Sequence, residues 1–312
     1  MDKFEEKKKE LAISDHLKRG NFSKILEIDP KNVDALIGVA IKLKNSKEYQ
    51  KALSKFNEIL GLNKIDDEKM RQVLKVMAKC ADQLDEIDEI IKIYDQIIDL
   101  KPYPDFFVGR ANHFYDNNRY LEAIDDFTKA LEKQDDDPSE VTLEFRGHSY
   151  LLEALTYQNP DKENLENAIN DYTEAIKIHS SYDSEPTNLL YERGRAKYHL
   201  ESYQKAIEDF TKALEKEDDD LSKVIYELRG HCFYMLDDYQ NSINDFTEKL
   251  KYDPEDTETL FYRAQSYVLG EKNYQLAIDD SRKIFEIITD KDTFKFTKAS
   301  TQKILDSISK FI

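Results

Sequence analysis

The groups in this 312-residue chain that could perform chemistry are six histidines, two cysteines and 64 carboxylates. Catalysis or metal binding would need some of them at a fixed spacing. His16, His113, His148, His179, His199 and His231 are scattered, and no His-Glu-x-x-His pair occurs. There is no Gly-rich phosphate loop ending in Gly-Lys, no Gly-x-Gly-x-x-Gly and no Gly-x-Ser-x-Gly elbow. The carboxylates are too numerous for any pair to stand out as an acid–base couple. Cys80 and Cys232 are too few for a disulfide framework. Each follows a small residue, Ala78 or Gly230, by two positions and reads as a reduced core thiol. The acidic triplets Asp135–Asp137 and Asp218–Asp220 lack the alternating ligands, Gly and later Glu of a calcium loop, and read as solvated helix ends. No catalytic residue, metal or cofactor is expected, and the chain is expected not to be an enzyme.

Composition points to helices. Hydrophobic residues make up 40% of the chain, enough for a core, while 8 Gly and 7 Pro are few for a protein rich in strands and tight turns. The net charge of −18 argues against nucleic-acid and anionic-membrane partners, which need clustered Lys and Arg. No apolar run is long enough to cross a bilayer, and the N-terminus has no signal-peptide core, so a cytoplasmic location is expected. Asn21-Phe22-Ser23 fits a glycosylation sequon, which carries no weight without secretion.

The stretch Leu189 to Leu214 shows the building unit. Gly194 leaves room for a close helix approach, and Tyr203, Ala206 and Phe210 share one face of a second helix. The pattern recurs near 33–66, 71–104, 104–137, 140–182, 187–220, 223–256 and 257–290, after a shortened capping unit at 1–32 and before a capping helix at 291–312. The fourth unit carries an insertion around Thr156 to Asn164, and the seventh one extra residue in its turn. A two-unit block is duplicated: residues 127–150 align with 210–233, and His148 and His231 take matching places in it. Two units apart, those histidines are not expected to share a metal.

This pattern resembles the tetratricopeptide repeat: about 34 residues, helix–turn–helix, with a small residue in helix A and Ala-x-x-x-Phe in helix B. Helix B carries it in Ala52/Phe56, Ala123/Phe127, Ala168/Tyr172 and Ala206/Phe210; helix A in Ala40, Ala111, Gly147, Gly194, Gly230 and Ala264; Pro102 and Pro254 match the terminal proline. Ile90 and Ser242 replace the helix B alanine, Ser281 the following aromatic and Lys249 the second alanine. Looser packing is expected in the second and seventh units. The resemblance implies an all-α, right-handed superhelical solenoid of about seven units.

Five consecutive units place Arg just before the small helix A residue: Arg110, Arg146, Arg193, Arg229 and Arg263. The same five place Asp just before the helix B aromatic position: Asp126, Asp171, Asp209, Asp245 and Asp280. The first two units carry Val39 with Lys55 and Met77 with Ile93 instead. Arg and Asp appear and vanish together, which predicts a partly buried bridge between the two helices of each pair. The competing reading, an Arg ladder for an acidic ligand, is opposed by the neutralising Asp.

By resemblance, the A helices line a concave groove. The residues expected to look into it are Asn112, Tyr115, His148, Tyr191, Arg195, Tyr198, His231, Tyr234, Phe261 and Gln265. Aromatics with His, Asn and Arg suit an extended peptide or a helix, although each Tyr could instead pack against the adjacent A helix. One subclass of the family grips a chaperone's C-terminal carboxylate with Lys and Asn. Asn112 sits at one matching place, but its partner places carry Val108, Phe145 and Glu192, so no such clamp is expected. The expected function is a non-catalytic interaction scaffold binding a protein or peptide in its groove. The alternatives are an assembly subunit using its convex face or ends, and a peptide-sensing regulatory module.

Overall fold

The computed structural model describes residues 3–62, 65–134, 138–156, 160–179, 186–215, 219–288 and 295–308. The triplet Asp135–Asp137, Asp218 of the second triplet, and residues 157–159 of the expected insertion lie outside these. Two compact units are present, 1–137 and 138–312.

The first unit holds α1 (Lys3–Lys18), α2 (Phe22–Ile28), α3 (Val33–Asn45), α4 (Tyr49–Leu60), α5 (Asp67–Ala81), α6 (Ile87–Leu100), α7 (Pro104–Asp116) and α8 (Tyr120–Glu132). The second holds α9 (Glu140–Leu155), α10 (Lys162–His179), α11 (Thr187–His199), α12 (Tyr203–Ala213), α13 (Asp219–Met235), α14 (Tyr239–Tyr252), α15 (Thr257–Ser266), α16 (Tyr274–Ile288) and α17 (Lys295–Ile308). From α3 onward they pair as A and B helices. Three of the A helices start on side-chain caps of this kind: Asn32 accepts from the Ala35 amide at 3.1 Å, Asp66 from Lys69 at 2.8 Å and Ser139 from Thr142 at 3.4 Å. Pro104 opens α7, where no amide hydrogen bond is forfeited.

Between A and B helices the chain turns through a left-handed residue. Lys47, Asn118, Glu201, Asp237 and Lys272 have φ of 61°, 59°, 59°, 60° and 52°. Each stands two residues before the Tyr that opens helix B. At Glu201 the turn is a Schellman motif: the Ser202 amide donates to the Lys197 carbonyl and the Glu201 amide to Tyr198, both at 2.9 Å. In the turn between α1 and α2, the same job falls to Gly20, φ 66°, which has no Cβ to strain. A non-Gly residue there costs about 1–2 kcal/mol, and Gly returns part of that as unfolded-chain entropy. Glu201→Gly is therefore expected to stabilise the protein by about 0.5–1 kcal/mol in urea unfolding.

In the fourth, fifth and sixth pairs, the helix B aromatic lies under the helix A glycine. A Cβ at Gly194 would meet Phe210 Cε1 at 2.6 Å, and one at Gly230 would meet Phe246 Cε1 at 2.9 Å. Phe56, Phe127, Tyr172, Phe210 and Phe246 are fully buried. The second pair is close-packed, contrary to its departures from the repeat pattern. Val73, Leu74, Met77, Cys80 and Ile97 have no exposed surface, because Met77 fills with apolar volume the place that Arg takes elsewhere. In the seventh pair, the extra residue is absorbed by a π-helical turn, Tyr267–Glu271, continuing α15. Ser281 is fully buried there and satisfied, its hydroxyl donating to the Ala277 carbonyl at 2.7 Å.

Candidate functional site

Two sets of side chains must be separated: those that hold the pairs together and those left on the A-helix face. The first set is the Arg–Asp series. Arg110 Nε and Nη2 donate to Asp126 at 2.6 and 2.7 Å, and Arg146 to Asp171 at 2.8 and 2.7 Å. Arg193 donates to Asp209 at 2.9 and 2.7 Å, Arg229 to Asp245 at 2.7 and 2.8 Å, and Arg263 to Asp280 at 2.9 and 2.7 Å. Every bridge is bidentate. The Asp side chains are 1–9% exposed and the Arg side chains 14–19%. Burial pushes the Asp171 and Asp245 carboxyls up, against the pull of Arg146 and Arg229. The bond to Asp126 raises Arg110.

The third nitrogen of the guanidinium does something the sequence reading missed. Nη1 of Arg193, Arg229 and Arg263 donates to Thr173, Thr211 and Thr247 Oγ1 at 3.2, 3.0 and 3.1 Å. These threonines lie on the B helix of the preceding pair. Thr173 and Thr247 spend their own hydrogens on the Ile169 and Ile243 carbonyls, both at 2.7 Å, leaving a lone pair for Arg. One Arg thus ties two helices of its own pair and a helix of the pair before. In the first unit, Arg110 Nη1 reaches back to Asp95 on α6. The signal was legible: Thr follows the aromatic at Tyr172-Thr173, Phe210-Thr211 and Phe246-Thr247.

The second set lines the A helices. In the second unit, α9 touches α11, α11 touches α13, and α13 touches α15; among the described residues no comparable contact joins successive B helices. The A helices therefore form the inner side of that stack. On them, His148 lies edge-on to Tyr172 at 5.5 Å, with Nε2 3.9 Å from Glu192. Arg195 Nη1 donates to Glu192 at 2.7 Å and its guanidinium lies 5.8 Å from the Tyr191 ring. Tyr191 rests beside Phe210 at 6.4 Å. Tyr198 meets His199 at 5.2 Å and Tyr203 at 6.0 Å. Burial pushes the Tyr198 phenol up to about 12. His231 sits between Phe246 at 5.1 Å and Tyr262 at 4.4 Å. Tyr234 donates to Gln265 Oε1 at 2.8 Å, and Phe261 lies 5.4 Å from Tyr262. Burial pushes both His148 and His231 down to about 4.

Eight of the ten candidate residues thus fall on one face of the second unit. Asn112 and Tyr115 lie on α7 of the first unit, where Asn112 Oδ1 is buried with no hydrogen-bond partner among the described residues and Tyr115 is edge-on to Tyr120 at 5.9 Å. Tyr262 and Glu192, absent from the candidates, are central to the face. Both stand two residues before the small residue, one turn from the position just after it, so an i, i+3 extension would have found them.

A further polar cluster joins Tyr94, Asp82 and His113 in the first unit. Tyr94 donates to Asp82 Oδ1 at 2.6 Å, and His113 Nε2 lies 3.0 Å from the same oxygen. Burial, and then the bond to Asp82, raise the phenol, so Tyr94 keeps its proton and acts as a buried donor. Cys80 and Cys232 are buried, free thiols, raised by burial to about 11 and about 12. Among the described residues, no group of three or more His, Cys, Asp or Glu is placed to hold a metal ion. No helix of theirs is long and apolar enough to cross a membrane.

Residues 187–217, the α11–α12 pair, match the family model described as a tetratricopeptide repeat. No curated protein matches the chain. Among solved structures, the C-terminal part of a TPR repeat-containing protein from Cytophaga hutchinsonii is similar at TM-score 0.58 and 16% identity, over 78% of this chain and 88% of that one. YrrB, described as a TPR protein with an unusual peptide-binding site, is similar at TM-score 0.53 and 18% identity, over 67% and 97%. MamA is similar at TM-score 0.50 and 14% identity, over 62% and 96%. Helix pairs stacked through a small residue and an aromatic, with one pair matching the repeat model itself, give this chain the fold of a tetratricopeptide-repeat solenoid.

Proposed function

We propose that the protein is a non-catalytic interaction scaffold that takes a peptide segment or helix of a partner on the A-helix face of its second unit. One observation carries this reading: four successive A helices meet side by side and present half-exposed Tyr191, Arg195, Tyr198, Tyr234, Phe261 and Tyr262 along one face. Flat aromatic area beside hydrogen-bonding groups suits peptide recognition. The Arg–Asp series is neutral within itself and turned to structural use, so it does not compete for a ligand. The fold shared with YrrB, whose description names a peptide-binding site, is consistent with this. Two buried unpaired thiols suit a reducing compartment such as the cytoplasm, and a charge of −18 suits a protein partner better than nucleic acid.

The test is a pull-down comparing wild type with Arg195→Ala/Tyr198→Ala, with folding checked by circular dichroism. Loss of the captured partner from the folded variant is expected. An unchanged set of partners sinks the groove reading and favours attachment through the B helices or the ends.

A further inference from the structure

The face just described is not chemically uniform. Each of its four A helices carries a carboxylate at or before its midpoint: Glu144 on α9, Glu192 on α11, Glu227 on α13 and Glu258 on α15. They are near enough to feel one another. Burial raises Glu192, and Glu144 adds to the rise against Arg195; burial raises Glu258, and Glu227 and Asp256 add to it. Cations meet the row at two points. Arg195 binds Glu192, and Lys249 lies 3.1 Å from Glu227 and 3.2 Å from Asp256. Counting Glu140, Glu144, Glu192, Glu227, Asp256 and Glu258 against Arg195, Lys249 and Lys223, a turn before Glu227, leaves three negative charges in excess.

Exposed apolar side chains stand at the C-terminal end of α13 and in the π turn that continues α15. Met235, five residues after Gly230, is 53% exposed, and Leu236 beside it 42%. Leu269, five residues after Ala264 and in the π turn, is 51% exposed. From the carboxylate row to these side chains is about eight residues of helix, or about 12 Å. That is the width of one α-helix with its side chains.

We infer that the A-helix face of the second unit receives a basic amphipathic helix of a partner protein, its Lys or Arg side on the carboxylate row and its large apolar side chains on Met235 and Leu269. The inference rests on the groove reading above and adds the partner's chemistry. Charge complementarity along a row steers encounter and fixes orientation, while buried apolar contacts hold the complex. The carboxylates alone would be a solvated surface; the exposed apolar strip one helix-width away is what gives the row an occupant of defined shape.

The test uses the purified full chain and three fluorescein-labelled amphipathic peptides of about 18 residues, five turns: Lys/Leu, Gln/Leu and Glu/Leu in the same pattern. Fluorescence anisotropy is expected to show tight binding of the Lys/Leu peptide, weakened by salt. Glu144→Gln/Glu227→Gln/Glu258→Gln removes the excess charge and is expected to weaken it by about tenfold or more. Glu163→Gln/Glu166→Gln/Glu208→Gln on α10 and α12 changes the net charge equally and is expected to matter less than about twofold. Met235→Ser/Leu269→Ser is expected to weaken binding without flattening the salt dependence. Equal binding of the Gln/Leu or Glu/Leu peptide, lost in Met235→Ser/Leu269→Ser, overturns the basic partner and leaves the groove standing. Equal weakening by both Gln triples overturns the placement on this face. Binding of none of the peptides overturns the inference as a whole, and the pull-down then judges the groove separately.

Discussion

Asp209→Ala is expected to lower stability by about 3–5 kcal/mol, the range for a buried ion pair that loses one partner. The cost arises because Arg193 and Lys197, 15% and 13% exposed, are left facing each other without their shared carboxylate. Arg193→Ala is expected to cost less, since Lys197 still meets Asp209 at 2.6 Å. The double variant is expected to fall short of the sum by about 1–3 kcal/mol, the coupling of residues in direct contact. The readout is hydrogen exchange of the α11 and α12 amides, because a stack of repeats can open in parts. Additive losses would mean that the two side chains do not act as a pair. The protein contains its own comparison: Met77 and Ile93 occupy the Arg and Asp places of the second pair, Met77 fully buried and Ile93 partly buried against the same core. An apolar pair can thus substitute for the bridge in stability. What the bridge adds is register, and through Thr173, Thr211 and Thr247 it sets register between neighbouring pairs as well as within them.

Acidification is expected to destabilise the second unit as pH falls from about 6.5 toward about 4, by about 1–3 kcal/mol for each of His148 and His231. Both are held neutral when folded, mainly by burial, and both regain an ordinary imidazole pKa when unfolded. The unfolded chain therefore binds more protons below 6.5, and the stability contributed by the neutral rings is complete above that pH and lost through the window. The groups facing them modify this unequally. Arg195 pushes His148 further down, with Glu192 at 3.9 Å on the other side. Asp256 pulls His231 up, while Phe246 and Tyr262 are neutral. Glu144, Glu192, Asp171 and Asp245 are raised in the fold and oppose the loss as they take up protons near the acid end. The histidine effect is therefore clearest between pH 6.5 and 5. His148→Gln/His231→Gln should flatten the stability curve there; an unchanged slope would assign the acid sensitivity to other groups.

Much of the fold was legible because it rests on spacing. Small residue and aromatic recur at fixed distance, and Gly194 and Phe210 meet as that spacing requires. The Arg–Asp contacts were legible for the same reason: two columns of opposite charge rise and fall together along the chain. The close packing of the second pair was not legible, because pattern matching registers Met77 and Ile90 as departures, whereas packing registers only their volume. The left-handed residues at Lys47, Glu201 and Lys272 were also hidden, since nothing in their side chains announces a positive φ. On the candidate face, residue types gave the column just after the small residue, yet Tyr262 and Glu192 in the column a turn earlier escaped notice. Their importance comes from neighbours on the preceding A helix, His231 for Tyr262 and His148 for Glu192, with Arg195 adding a bond one turn along α11.

The claim that a partner lies on the A-helix face of the second unit is tested most directly by site-specific photocrosslinking. A benzophenone side chain is placed at Tyr198 on α11 and, in a second protein, at Glu208 on α12, and each is irradiated in lysate of the source cells. A crosslinked partner segment from position 198, identified by mass spectrometry and absent from position 208, is the predicted result. A partner captured from position 208 and not from 198 would contradict the account.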